Sequence, residues 1–135
     1  MIVLDEQLLG RGVEEPIAAW YPGKVVFVKE LRTGTVIKDE AIPSLLAQET
    51  EPTFVTINES DFWQVFPPGE RYCIVCFALS SGQVKLIPVL LQRLFRHRQF
   101  DTKAKRAGRV VRITASGVAH FYEKQNSAVR PIDGF

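Results

Sequence analysis

The chain has 135 residues, 46% of them apolar and 24% charged, which suits one soluble globular domain with its own core and excludes a largely disordered chain. No apolar run approaches the ~18 residues that a membrane-spanning helix needs, and the N-terminus lacks a basic start leading into a long apolar stretch. A cytoplasmic location without membrane contact is therefore expected. The net charge of +2 conceals a split, because residues 1–70 hold 5 Lys/Arg against 12 Asp/Glu while residues 71–135 hold 12 against 3. Such a division suits a site with a cation on one side and a polyanion on the other, or two solvated faces that attract each other.

Met1-Ile2-Val3-Leu4 predicts a first strand, broken by Asp5-Glu6. Gly10 and Gly12 loosen the chain before Glu14-Glu15-Pro16, where acids and proline suit the first turn of a short helix that stops at Tyr21-Pro22-Gly23. Lys24 to Val28 predicts a second strand whose nearly continuous apolar run fits a parallel sheet covered on both faces. A loop around Gly34 leads to Asp39, which can open a helix running to about Thr50 with Pro43 near its start. Thr53 to Ile57 predicts a third strand, and Asn58-Glu59-Ser60-Asp61 an acidic turn. Phe62, Trp63, Val65 and Phe66 then form an aromatic segment, expected as a short helix or loop ended by Pro67-Pro68-Gly69.

Arg71 to Leu79 predicts a fourth strand. It contains Cys73 and Cys76, whose odd spacing sends the two thiols to opposite faces of a strand, beyond disulfide reach. They read as ordinary buried thiols rather than a redox or zinc pair. Pro88 opens a helix with Val89, Leu90, Leu91, Leu94 and Phe95 as its apolar stripe, ending among Arg93, Arg96, His97 and Arg98. Gln99 to Gly108 reads as a basic loop, and two strands flanking Ala115-Ser116-Gly117 read as an antiparallel hairpin. This order of elements implies a three-layer α/β/α sandwich with a mostly parallel sheet, a single domain over residues 1–125, and a loose tail over 126–135.

Carboxylates stand where the apolar runs of the first half stop. If those runs are neighbouring parallel strands, Asp5, Glu6, Asp39, Glu40 and Asp61 gather at one edge of the sheet, with Asn58 as a neutral oxygen donor. Like charges held that close bind a cation or shift their pKa values. Mg²⁺ and Mn²⁺ take oxygen ligands and keep several waters, so two or three carboxylates from separate loops suffice. The competing reading makes Asp39 a helix cap, Glu40 a first-turn acid and Asp61 a cap of the aromatic segment. Asp5 fits it least, since an acid directly after a buried strand is poorly explained by capping. Arg93, Arg96, Arg98, Lys103, Lys105 and Arg106 form a basic group that can hold a phosphate backbone, although cations also suit a helix C-terminus. His97 and His120 have no acid or thiol beside them, and no glycine-rich phosphate loop or serine-nucleophile elbow occurs.

Leu4-Asp5-Glu6-Gln7-Leu8, Lys38-Asp39-Glu40-Ala41-Ile42, and Phe54-Val55-Thr56-Ile57-Asn58 with Asp61-Phe62 together resemble the compact PIN-like nucleases of prokaryotes. Those proteins share the patterns L-D-E-N/Q-L, D-E-x-I and T-x-D-x-D-F. The resemblance spans residues 1–66, and the later strand, leucine-rich helix and terminal strands follow the same order. It implies a PIN-like fold, Mg²⁺- or Mn²⁺-dependent cleavage of single-stranded RNA, and a toxin role with an antitoxin protein as partner; a homodimer is a candidate assembly. Carried over by position, Asp5, Asp39 and Asp61 are the acids of the metal site; Glu40 is a further catalytic candidate and Asn58 a further ligand candidate on this chain's own residues. The sequence departs from the pattern where Asn58 replaces an aspartate and where one extra residue precedes Asp61. The alternative is a catalytically degenerate PIN-like module that binds RNA or a protein without cutting. A phosphoreceiver domain fits less well, because Asn58 stands where its phosphoacceptor aspartate belongs.

Overall fold

The computed structural model describes residues 1–34, 36–65 and 71–135. Phe66 and Pro67-Pro68-Gly69, the expected end of the aromatic segment, lie outside the described residues. In chain order the elements are β1 (Ile2–Leu4), α1 (Glu14–Ala18), β2 (Val25–Phe27), α2 (Ile42–Leu46), β3 (Thr53–Thr56), α3 (Glu59–Phe62), β4 (Cys73–Ala78), α4 (Ile87–Arg96), α5 (Lys103–Arg106), β5 (Arg109–Thr114), β6 (Ala119–Glu123) and β7 (Arg130–Pro131). Short 3₁₀ turns join several of them.

The strands form one sheet in the order β2-β1-β3-β4-β5-β6-β7. The first five are mutually parallel, and β6 and β7 are antiparallel to their neighbours. The protein is thus α/β with a mostly parallel sheet closed by a C-terminal antiparallel hairpin, as the sequence predicts. Strand alternation divides the core: Cys73, Val75 and Phe77 point into a cluster with Ile17, Leu90, Leu91 and Leu94, while Ile74 and Cys76 point into one with Ile42, Leu46 and Phe62. Helices α1 and α4 therefore pack on one face of the sheet, and α2 and α3 on the other. The two cysteines are free, buried and on opposite faces, as their spacing predicts. Burial in apolar surroundings pushes the Cys73 thiol up to about 12 and raises Cys76 as well.

Three elements differ from expectation. The helix expected from Asp39 to Thr50 is a 3₁₀ turn over Asp39–Ala41 followed by the five residues of α2, because proline is tolerated only in a first turn and Pro43 sets where that turn falls. The basic loop carries α5, whose N-cap Thr102 accepts a hydrogen bond from the Lys105 amide at 3.2 Å. Residues 126–135, expected as a loose tail, contribute β7, and Ile132 behind it is buried. The β5–β6 turn meets its backbone demand at Gly117, with φ +81°.

Candidate active site

In the order β2-β1-β3, the connection leaving β1 runs to one side of the sheet and the one leaving β3 to the other. Such a switch point opens a crevice beyond the carboxyl ends of the two strands. Asp5 lies there, directly after β1, hydrogen-bonded through its amide to the Val55 carbonyl of β3 at 3.0 Å. It is 5% exposed, and Thr56 at the end of β3 donates its hydroxyl to Asp5 Oδ2 at 2.6 Å. The Asn58 amide in turn donates to Thr56 Oγ1 at 2.9 Å, so two neighbouring strand ends fix one carboxylate. Burial raises the Asp5 pKa above the ordinary value, opposed by the Thr56 hydroxyl and by the nearby amides of Glu6 and Gln7. No side-chain cap bond with proper geometry forms at Asp5, so capping does not account for this acid.

Asp39 and Asp61 come from separate loops and meet. A side-chain hydrogen bond links them, with Asp5 and Glu40 adding negative charge nearby. Burial, that hydrogen bond and the surrounding carboxylates all push Asp39 up. Asp5, Asp61 and the exposed Glu40 thus lie near enough to Asp39 to act on its charge. Glu6 is used otherwise, its Oε1 accepting the Lys29 amide at 2.9 Å.

Asn58 is the N-cap of α3, its Oδ1 accepting from the Asp61 amide at 3.3 Å and from Ser60 Oγ at 3.1 Å. Its Nδ2 donates to Asp61 Oδ2 at 2.6 Å. The amide thus grips the acid that the resemblance makes its fellow ligand, and its carbonyl oxygen is already occupied. Among the described residues no three of His, Cys, Asp and Glu converge as a preformed metal cage. The donors that do approach one another are all carboxylate oxygens from separate loops, which fits a hard divalent cation that retains waters rather than a closed structural site. Thr56 is absent from the sequence-derived candidates. The signal for it is a hydroxyl at the last buried position of the strand beside the acid.

The basic group lies elsewhere. Helix α4 starts beyond the carboxyl end of β4 and runs back, carrying Arg93 and Arg96 to the end where the parallel strands begin. Lys103 and Arg106 act on the Met1 amino group, which donates to Tyr21 Oη at 2.7 Å at the start of β1. Four residue steps of extended chain separate Met1 from Asp5, about 13 Å at ~3.3 Å per residue. Arg93 bonds the Phe135 carbonyl, Lys105 pairs with Asp101 at 2.8 Å and also bonds the Arg98 carbonyl, and Arg106 is buried. Arg96, Arg98 and Lys103 are exposed. From the basic segment it is Arg112 that contacts the acid-bearing edge, its Nε 2.5 Å from Glu59 Oε2. No helix among the described residues is long and apolar enough to cross a membrane. No family model, curated protein or solved structure matches the chain.

Proposed function

We propose that the protein is a PIN-like, three-layer α/β/α nuclease that cleaves single-stranded RNA phosphodiesters with Mg²⁺ or Mn²⁺ at Asp5, Asp39 and Asp61. The observation that carries this reading is the approach of Asp39 and Asp61, from separate loops, to the buried Asp5 at the switch point of the sheet. Three carboxylates cost stability there unless something positive relieves them. A divalent cation would be held by these three side chains, and when bound it supplies polarisation of the phosphodiester oxygens and neutralisation of their charge. Thr56 keeps Asp5 in one orientation through its hydroxyl. Glu40, at the margin of the acids, would help to orient the attacking water. The same reading makes the chain a cytoplasmic toxin whose partner is an antitoxin protein, acting alone or as a homodimer.

Asn58 favours a second reading. Its amide already occupies one oxygen of Asp61 with a hydrogen bond, which suits a degenerate module that binds RNA or a protein without cutting. Incubating purified protein with end-labelled single-stranded RNAs in Mn²⁺ separates the two. Cleavage that falls roughly a hundredfold or more in Asp5→Asn supports the nuclease. Equal cleavage by both proteins, or none by either across the panel, leaves the binding module.

A further inference from the structure

A cleft of about 750 Å³, within the range of small-molecule sites, lies at the end of the sheet opposite the acids. Its wall is aromatic: Trp20 stands edge-on to Tyr21 and to Phe95, with ring centroids 6.0 and 5.6 Å apart. Gly23 permits this packing, since a Cβ there would meet the Tyr21 ring at 2.7 Å. Three cations line the same cleft: Arg96, Lys103 and Arg106.

Arg106 is the informative one. It is 6% exposed, its guanidinium carbon sits 3.8 Å over the Phe95 ring, and its Nη1 donates to the Phe100 carbonyl at 2.9 Å. Its Nε has no partner, and among the described residues it forms no ion pair with a carboxylate. Asp101, the acid of the cleft, is taken by Lys105. Trp20 Nε1 is likewise buried without a partner. A buried guanidinium is ordinarily matched by an anion; here Asp101 and Glu51 act on Arg106 only through their charge, without an ion pair among the described residues, and Arg106 lines a cleft walled by aromatic rings. Inorganic phosphate would leave the rings unused, and an uncharged aromatic compound would leave the cations unused. Both are used by a nucleotide, whose base packs on aromatic faces and whose phosphate takes charge-assisted hydrogen bonds.

We propose that the cleft bounded by Trp20, Tyr21, Phe95, Arg96, Lys103 and Arg106 binds a nucleoside 5′-monophosphate group, independently of the acidic edge. The group can come from a free nucleotide or from the 5′ end of an RNA. Trp20 fluorescence in a Trp63→Phe background, titrated with adenosine 5′-monophosphate, adenosine and inorganic phosphate, tests this. A saturable change is expected with the monophosphate at a Kd of about 100 µM or tighter, with adenosine and phosphate each weaker by about tenfold or more. Arg106→Gln should abolish the response. Should that buried substitution unfold the chain, Lys103→Glu at an exposed position decides, with an expected loss of about tenfold or more. An affinity for the monophosphate no greater than for its two parts, or one unchanged in Lys103→Glu, overturns the proposal. Short oligoribonucleotides, added without divalent cation to an Asp5→Asn background, identify the source. Tighter binding of the 5′-phosphorylated than of the 5′-hydroxyl oligomer, exceeding that of the free monophosphate, assigns the cleft to RNA ends. Binding no tighter than the free monophosphate assigns it to the nucleotide.

Discussion

Asp39 shows how a single side chain reports on its surroundings. Burial, the hydrogen bond to Asp61 and the neighbouring carboxylates hold its folded pKa above the ordinary 3.8. The folded state consequently binds its proton more tightly than the unfolded chain does. Below the unfolded value both states are protonated and the residue contributes nothing. As pH rises through the unfolded and then the raised folded value, the folded state must give up a proton it holds better, and stability falls. Replacing Asp39 by Asn should therefore raise the metal-free melting temperature at pH 7, by up to about 3 °C for a modest electrostatic term. The gain should vanish near pH 3, where both states of the wild type are protonated. Melting curves across pH check the sign, and a lower melting temperature for the variant at pH 7 would mean that Asp39 is a structural acid. The acids themselves are visible in the sequence because they interrupt apolar runs. The Thr56 and Asn58 contacts are not, because they join side chains of different loops across a switch point that only the strand order creates.

At the scale of elements, the last ten residues carry the clearest difference from expectation. They are polar, contain Pro131 and form a strand of two residues, too short for alternation to be read. Their order comes from distant partners. The Ile132 amide donates to the Ala119 carbonyl at 2.9 Å, His97 Nε2 lies 2.6 Å from the Asp133 carbonyl, and the Arg93 guanidinium packs 4.5 Å over the Phe135 ring. Ile132 is 5% exposed and belongs to the core cluster of α1 and α4. Ile132→Ala should cost about 2–3 kcal/mol by lost transfer energy and cavity formation, read as a shift of the urea midpoint at constant slope. Val129→Ala three positions earlier, at a half-exposed site, should stay within about 0.5 kcal/mol. Equal effects would return the segment to a loose tail. Helix α4 shows the opposite case, since Pro88 in its first turn and the apolar stripe behind it are enough to locate it from the residue pattern.

For the whole molecule, the charge split is real but composition does not fix its arrangement. Composition allows the acidic and basic halves either to face each other across one site or to form two solvated faces. The acids Asp5, Asp39 and Asp61 and the basic group of α4 and α5 instead occupy opposite ends of the parallel sheet, because α4 returns antiparallel to the strands before α5 follows it. At physiological ionic strength screening acts over ~8 Å, less than the ~13 Å from one end of β1 to the other. The two ends should thus titrate independently. Saturating Mn²⁺ is expected to stabilise the wild type by mass action, about 2.7 kcal/mol at a hundred times the dissociation constant. Asp5→Asn should remove most of that gain, while Lys103→Ala combined with Lys105→Ala should leave it unchanged. Thermal denaturation with and without Mn²⁺ decides, and identical melting of wild type and Asp5→Asn under both conditions would exclude a metal at the acidic edge.

The amino-acid order by itself determined what depends on near neighbours: that the chain alternates strands and helices, that Cys73 and Cys76 point to opposite faces, that Pro88 begins a helix, and that Asp5, Asp39 and Asp61 stand at the ends of elements. Period-two and helical repeats are local, so they survive without knowledge of the fold. Tertiary structure decided everything that requires two distant segments to meet. It set the order β2-β1-β3, which makes a crevice at Asp5. It turned the Asn58 amide onto Asp61 and buried Arg106 against the Phe95 ring with no ion pair among the described residues. Such contacts arise from packing helices against one sheet, and the energies that select them are shared across the core rather than written at any one position.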